Sequence, residues 1–469
     1  MFILKAIASF TNWVWGIPML VWLVGGGVFL TFRLHFIQFR KLGFILKNTI
    51  GRSFSRNKDR NMVSGFKAVT GALASTLGAG NIVGTAMAIA FGGPGAVFWL
   101  WMTGLFACAV KFSEVTLAMK YRHKDSDGNW EGGPQYYLSA ATGWKWLGTA
   151  YAISCAFCLF LAASAQVGAG VDNVVALGVN RTVFTVIEIA LITFIVLGGL
   201  RRMLNVSEMI VPLMSVLYII GGLAVIVLNI GGLPSAFASI FRYAFTGHAA
   251  FGGFAGAAFS MCIRWGVSRG IYSNDSGTGC VTIAHAATDE ANHPVQQGMW
   301  GIFEVFFDTI VVCSITCLVI LTTGIWQTDG NASTLTAKAF TGTLGAAGGY
   351  LVTISLLLFT FTTAVAQVEF GSVQLKKLLG DKAYFPCKIV YLVMLFAGGI
   401  VGITALINYV DFSSFLVIFF NTIGVYWCHG EIVQLTEEYF SDTLRWEKER
   451  WPVWRKMEKQ YADSHKTGA

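Results

Sequence analysis

The sequence predicts an all-α, polytopic membrane protein with about eleven transmembrane helices. Ten of these form two groups of five in an inverted repeat, behind one extra N-terminal helix. Three observations predict this fold. First, of 469 residues, 55% are apolar and 12% charged, about half the charged fraction of an ordinary soluble chain, so a water-soluble body could not cover its own apolar surface. Second, the chain carries 53 glycines, which suit helices packed closely within a bilayer. Third, two apolar stretches, the second and the seventh, are interrupted by glycine and polar residues at membrane depth. Disordered, collagenous and disulfide-rich secreted classes are excluded by the same composition.

A window of about 20 mostly apolar residues, enough to cross about 30 Å of hydrocarbon at 1.5 Å per residue, places the spans in order. They run near Trp13 to Phe32, Val63 to Ala90, Gly95 to Met119, Leu147 to Gly170, Val183 to Leu200 and Met203 to Asn229. The rest run near Phe254 to Gly279, Gly298 to Ile325, Tyr350 to Val373, Ile389 to Ile407 and Phe412 to Trp427. The first is preceded by a single Lys5 and lacks a small-residue cleavage pattern, so it reads as a retained helix and not as a signal peptide. The expected organisation is an extra helix and amphipathic segment over 1–62, a first five-helix repeat over 63–229, a second over 230–430, and a tail over 431–469.

Placement of the basic residues sets the orientation and accounts for the net charge of +8. Of 33 Lys and Arg, 25 lie in alternate loops and the tail, eight of them between Arg33 and Arg60. The opposite loops hold only Lys5, Arg181, Arg242 and Lys338, and Lys67, Lys111, Arg264 and Arg269 lie inside spans. The positive-inside rule then puts the N-terminus outside and the C-terminus in the cytoplasm of a plasma (inner) membrane protein. A topological distribution is not a groove-tracking patch, so nucleic acid is not a predicted partner. The Arg33 to Arg60 stretch, interspersed with Phe32, Phe36, Phe39 and Phe44, reads as an interfacial segment lying on the inner leaflet. All nine cysteines lie in apolar stretches. Cys155/Cys158 and Cys313/Cys317 lack the His or second Cys pair of a zinc site, and buried small hydrophobes are the simpler reading.

The interrupted spans carry the functional signal. The second span contains Gly78-Ala79-Gly80-Asn81, then Gly84 and Gly92-Gly93-Pro94-Gly95, and the seventh contains Ser273-Asn274-Asp275-Ser276-Gly277-Thr278-Gly279. Glycine costs about 1 kcal/mol in a helix interior, and Ser, Asn and Asp compete for backbone hydrogen bonds, so both stretches are expected to unwind. Unwound backbone at that depth must face protein or a water-filled cavity. Paired breaks in inverted repeats mark the binding site of secondary transporters: half-helix N-termini hold a carboxylate and freed carbonyls hold a cation. Close packing is the competing explanation for the glycines, but it leaves Asn81, Asn274 and Asp275 unexplained.

Other polar residues in the spans are weighed individually. Arg269 lies one turn before the second break, with Asp275, Glu304 and Asp308 as candidate partners, whereas Lys111 and Glu114 are expected to form a helical pair. Gln166, in a span of small residues, suits a polar substrate. Thr360, Thr362 and Thr363 offer hydroxyls that suit Na+ or bond back to their own helix. Gly266-Val267-Ser268-Arg269-Gly270, followed by Asp289 and His293, matches a serine-hydrolase nucleophile motif. That motif needs a preceding strand, so an intramembrane hydrolase using Ser268 stands as a rival reading. A channel is a third. Gly78 to Gly84 is not a dinucleotide turn, because Val83 stands where the third glycine belongs.

The motifs Gly78-Ala79-Gly80-Asn81-Ile82-Val83-Gly84, Gly92-Gly93-Pro94-Gly95-Ala96-Val97-Phe98-Trp99 and Gly132-Gly133-Pro134-Gln135-Tyr136-Tyr137 resemble the alanine or glycine:cation symporter family. So does the run from Trp265 to Thr309, including Ser273-Asn274, Ile283-Ala284-His285-Ala286-Ala287 and His293-Pro294-Val295. The resemblance implies a leucine-transporter-like fold and import of a small neutral amino acid coupled to Na+, or to H+, with no enzymatic activity, no organic cofactor and no obligate protein partner. It further implies that substrate sits against Gly78, Gly80, Asn81, Gln166 and the segment Ser273, Asn274, Asp275, Ser276 and Gly277. By analogy with the fold, Na+ is held by the carbonyls of Ala74 and Leu77 with the hydroxyls of Thr362 and Thr363. The family usually reads Ser-Asn-Glu-Ala-Gly at the second break and is aromatic-rich after the threonine pair, continuing with a Gly-Glu pair. This chain has Ser273-Asn274-Asp275-Ser276-Gly277 and Ala366-Gln367-Val368-Glu369-Phe370-Gly371-Ser372. The more polar wall keeps a larger polar substrate such as glutamine in view, and Glu369 is a candidate proton-linked group.

Overall fold

A computed structural model describes residues 9–11, 13–53, 62–246, 255–327 and 332–466. Lys5, the 54–60 part of the basic segment and Phe254 lie outside the described residues. The chain is nearly all helical. In order, the principal helices are α1 (Ile17–Arg33), α2 (Gly65–Thr76), α3 (Gly80–Gly92), α4 (Ala96–Lys120), α5 (Pro134–Thr142), α6 (Lys145–Val175), α7 (Arg181–Val196), α8 (Gly199–Leu228) and α9 (Leu233–Thr246). There follow α10 (Ala255–Asn274), α11 (Thr282–Ala286), α12 (Pro294–Thr322), α13 (Ala332–Leu344), α14 (Ala346–Leu379), α15 (Tyr384–Val401), α16 (Ile403–Trp427), α17 (His429–Ser441), α18 (Thr443–Lys448) and α19 (Pro452–Lys466).

Seven helices, α4, α6, α8, α12, α14, α15 and α16, are long and apolar enough to cross a membrane, and the bent pair α2 and α3 makes an eighth. The remaining expected spans fall short of that test for physical reasons: α1 and α7 are brief, and α10, which carries Arg264 and Arg269, stops at the break. Side chains sort as a bilayer requires. On α8, Leu213, Ile220 and Val227 repeat at seven-residue spacing and are exposed, while Met214, Tyr218 and Val225 on the opposite side are buried.

Several boundaries move. Helix α14 continues past the expected end at Val373 to Leu379, because Lys376 and Lys377 sit favourably in its last turn. Helix α10 stops at Asn274, before the expected end at Gly279. The all-helical expectation misses one small feature. Strands β1 (His123–Lys124) and β2 (Trp130–Glu131) pair antiparallel. They are joined by a turn in which Asp125 Oδ1 accepts from the backbone N–H groups of Asp127 (2.9 Å) and Asn129 (2.7 Å).

Close helix approach holds the scaffold together. Helix α6 packs along α14, α15 and α16, and α15 comes so near that a Cβ on Gly398 would lie 2.3 Å from the Ser164 carbonyl oxygen. The C-terminal helices fold back onto one end of the bundle. Arg122, fully buried, lies with its guanidinium 4.1 Å from the Trp130 ring centre and 3.8 Å from that of Trp454. Trp454 Nε1 donates to the Met119 carbonyl at 3.2 Å, and the Trp451 N–H donates to Asn292 at 2.8 Å.

Gly398→Ala should lower stability by about 1–3 kcal/mol through overpacking of backbone against backbone. Gly342→Ala, where an added Cβ meets nothing within 4 Å, should be neutral or stabilising by up to about 1 kcal/mol. Thermal unfolding of the purified protein checks both; equal effects would contradict the packing described for α6 and α15.

Candidate functional site

The first broken helix bends by 57° between α2 and α3. In an unbroken helix the N–H groups of Gly78 and Ala79 would donate to the carbonyls of Ala74 and Ser75. Instead Gly78 donates to Asn81 Oδ1 at 3.0 Å and Ala79 to Gln166 Oε1 at 3.0 Å. Each lost backbone bond is therefore replaced, so the break has little hydrogen-bonding cost while it releases main-chain oxygen atoms. Gly78 is glycine because of crowding: a Cβ there would lie 2.9 Å from Thr363 Oγ1 and 3.0 Å from both Gln166 amide atoms. At Gly80 a Cβ would lie 3.1 Å from the Tyr272 ring and 3.5 Å from the Ser273 Cα.

The second break lies between α10 and α11. Asp275 adopts φ of 52° and Gly277 φ of 91°, left-handed values that Asp tolerates and Gly accepts freely. Asn274 Oδ1 accepts from the Ser276 N–H at 3.0 Å, which closes the turn. Asn421 Nδ2, on α16, donates to the Gly277 carbonyl at 2.8 Å.

A carboxylate joins the two breaks. Asn81 Nδ2 donates to Ser273 Oγ at 2.9 Å and to Asp308 Oδ1 at 2.7 Å. Ser273 Oγ donates to Asp308 Oδ2 at 2.6 Å, and Thr309 Oγ1 donates to the same oxygen at 2.9 Å. Asn274 Nδ2 reaches Thr309 Oγ1 at 3.1 Å. Asp308 is fully buried on α12, and among the described residues no Lys, Arg or His forms an ion pair with it. On sequence alone Asp308 reads as a candidate partner for Arg269. The signal available was an Asp-Thr pair inside an otherwise apolar helix.

Arg269 pairs elsewhere. Its Nη2 lies 3.4 Å from Asp411 Oδ2 on α16, and its guanidinium lies 5.1 Å from the Trp265 ring centre and 5.4 Å from that of Tyr272. This corrects the expected partners Asp275, Glu304 and Asp308, because the side chain leaves α10 on the side facing α16.

The threonines separate. Thr363 Oγ1 lies 2.8 Å from the Phe359 carbonyl of its own helix and 3.0 Å from the Leu77 carbonyl, beside Gly78, so α14 meets the first break there. The carbonyl of Ala74, in the preceding turn of α2, loses its usual N–H partner because the Gly78 N–H donates to Asn81. Thr362 Oγ1 turns away, bonding back to Leu358 (2.9 Å) and Phe359 (3.1 Å) and facing Met214 Sδ on α8. The structure therefore brings Gly78, Gly80, Asn81, Gln166, Ser273, Asn274, Leu77 and Thr363 together. It directs Thr362 elsewhere, because adjacent helical residues point about 100° apart.

The remaining candidates resolve as follows. Ser268 lies within α10, its Oγ 3.5 Å from the Trp265 carbonyl, while His293 caps α12 through Nδ1 (3.2 Å from the Val295 N–H) and Asp289 Oδ2 accepts from the Val63 N–H at 3.1 Å. No nucleophile elbow or triad forms among these residues. Glu369 lies 2.8 Å from Lys388 Nζ and bonds Tyr384, tying α14 to α15. All nine cysteines are buried and free. A cavity of about 460 Å³ opens at the bundle end that carries the hairpin, lined by Val63, Gly199, Ile283, Ala287, Val373 and Lys376.

A bundle of apolar helices with two broken members meeting at a polar, glycine-lined centre defines a secondary transporter. In fold it matches MhsT, solved in complex with L-phenylalanine, with a TM-score of 0.58 at 15% identity over 85% of this chain and 95% of that one; the chain thus has a leucine-transporter-like fold. The sodium:alanine symporter family model matches residues 1–451, and the chain belongs to that family. It is 36% identical to the sodium/alanine symporter AgcS of Methanococcus maripaludis, covering 92% of this chain and 96% of that protein. It is 33% identical to the probable sodium/glutamine symporter GlnT of Bacillus subtilis, covering 93% and 91%. The protein is therefore a multi-pass membrane transporter for amino acids and not an enzyme.

Gly78→Ala should force Thr363 and Gln166 apart, an overpacking of about 1–3 kcal/mol, which if felt fully in binding weakens amino-acid binding by roughly five- to 150-fold. Calorimetric titration of the purified variant checks this. Wild-type affinity would show that Gly78 is not at the site.

Proposed function

We propose that this protein imports a small neutral amino acid such as alanine or glycine by Na+-coupled symport with alternating access, H+ being the alternative coupling ion. The observation that carries the proposal is the contact of Thr363 with Leu77 at the first break, beside the Asn81–Ser273–Asp308 bridge to the second. Eleven spans, two inverted groups of five, an outside N-terminus and a cytoplasmic C-terminus complete the reading, supported by the placement of the breaks and of the basic residues.

In this mechanism the positive end of the α3 dipole favours the substrate carboxylate, and Gln166 and the Ser273 to Gly277 segment orient the rest of the amino acid. Na+ favours the arrangement in which Ala74, Leu77 and Thr363 converge, so ion binding stabilises the substrate-competent state and the inward Na+ gradient drives uptake. Thr362 serves only after a rotamer change, which ranks it below Thr363.

A second reading, a larger polar substrate such as glutamine, is favoured by Gln367. It is buried one turn beyond Thr363 on α14, and its Oε1 has no hydrogen-bond partner. Such an atom costs about 1–3 kcal/mol unless a ligand satisfies it.

Purified protein in liposomes should accumulate alanine or glycine when Na+ is placed outside; uptake indifferent to both Na+ and pH gradients would end the symport reading. A competition panel that includes glutamine separates the two substrates. Thr363→Ala should weaken Na+ dependence and Asn81→Ala amino-acid binding, each by roughly tenfold or more, the scale of a buried hydrogen bond to a charged group. Wild-type kinetics in both would refute the site. Because Lys388 balances Glu369, Glu369→Gln should leave the pH profile of uptake unchanged, and an altered profile would restore Glu369 as a proton-linked group.

A further inference from the structure

Four ionisable side chains beside the second break take no part in the site above. Lys111 and Glu114 of α4, Glu304 of α12 and His285 of α11 are all fully buried. Lys111 Nζ lies 3.7 Å from Glu304 Oε1 and 3.9 Å from Glu114 Oε2, and neither of those oxygens has a hydrogen-bond partner. Glu304 Oε2 lies 2.9 Å from His285 Nε2, and the other ring nitrogen lies 2.8 Å from Gln297 Nε2.

Charge counting shows what the cluster needs. Among the described residues Lys111 is the only Lys or Arg paired with either glutamate. With a neutral imidazole, the Glu114 and Glu304 carboxylates face one ammonium and the nearby Asp275 carboxyl adds to them, leaving net negative charge out of water, a state that proteins avoid by keeping a proton. The His285 surroundings accept either condition. A neutral ring donates from Nε2 to Glu304 and accepts from the Gln297 amide, whereas an imidazolium needs only the Gln297 amide turned to present its oxygen.

The cluster also grips the break. Lys111 Nζ donates to the carbonyl of Asp275, the residue with left-handed backbone, at 2.9 Å. Asn421 Nδ2 donates both to Glu114 Oε1 at 2.6 Å and to the Gly277 carbonyl at 2.8 Å. His285 itself lies on the half-helix that follows the break. The other ionisable groups facing the cluster are the Asp275 carboxyl and Cys280 of the break, Asp308 one turn along α12, Tyr137 of α5 through Asn421, and Arg122, which donates to the Ala286 carbonyl at 3.0 Å.

We propose that Lys111, Glu114, Glu304 and His285 form a proton-binding site whose one exchangeable proton sits on the Glu304–His285 pair and is linked to amino-acid binding through the Asp275 and Gly277 carbonyls. The proposal rests on the symport reading. The cluster shares no residue with the proposed Na+ ligands, so the two can be tested apart.

The test is calorimetric titration of the purified full-length protein with alanine, or with glutamine if the uptake panel selects it, in Na+ buffers of different ionisation heat, which counts protons taken up or released. Wild type should exchange a substantial fraction of one proton at some pH in a series spanning the range over which the protein stays folded. Glu304→Gln should exchange none while still binding amino acid. Amino-acid binding by wild type without proton exchange, or undiminished exchange in Glu304→Gln, would overturn the proton site and leave symport standing. No binding of any amino acid by wild type would overturn the symport reading, and the proton site with it. If Glu304→Gln does not yield folded protein, His285→Gln removes the same proton from the other side of the pair, and full exchange in that variant would equally overturn the proposal.

Discussion

The bridge from Asn81 through Ser273 to Asp308 is the interaction on which the arrangement of this molecule depends. A helix broken at membrane depth must find new partners for its freed backbone groups, and two such helices are stable together only if those partners are shared. Asn81 meets both demands: its oxygen takes the Gly78 N–H while its nitrogen crosses to the second break and to α12. Burying Asp308 without a basic partner is costly, and three donors within 2.9 Å offset that cost. The same carboxylate thereby fixes the distance between the breaks.

Around this centre the scaffold is built from near-contact of backbones. Small residues on α6 let α14, α15 and α16 approach, and Gln166 projects from that same helix to the first break. Gln166 and Thr363 therefore reach the first break from closely packed unbroken helices, while the broken helices supply the main-chain atoms.

Much of this was legible in the sequence because bilayer physics writes in long runs. Hydropathy located the long helices, and glycine beside Asn and Asp located both breaks to within a turn. Helix ends were misplaced where polarity and helicity part company: α14 runs on through Gln374, Lys376 and Lys377. Partners far apart in sequence were illegible. Asp308 joins Asn81 across 227 positions and Arg269 finds Asp411 across 142, and no local pattern encodes either pairing. Thr362 and Thr363 are indistinguishable as letters, and only the facing of α14 decides which one meets Leu77. Lys111 and Glu114 read as an ordinary helical pair, because Glu304 and His285 lie on other helices.

The stacking of Arg122 between Trp130 and Trp454 has a consequence for how the protein is made. Trp454 meets Met119 across 335 positions and follows all the spans in chain order, so during synthesis the hairpin end of the bundle waits, one aromatic wall missing, until the spans have been translated. Insertion of the spans and completion of that end are thus separate events in time. Helix α19 acts as a closing piece, and without it a buried guanidinium would lie half uncovered.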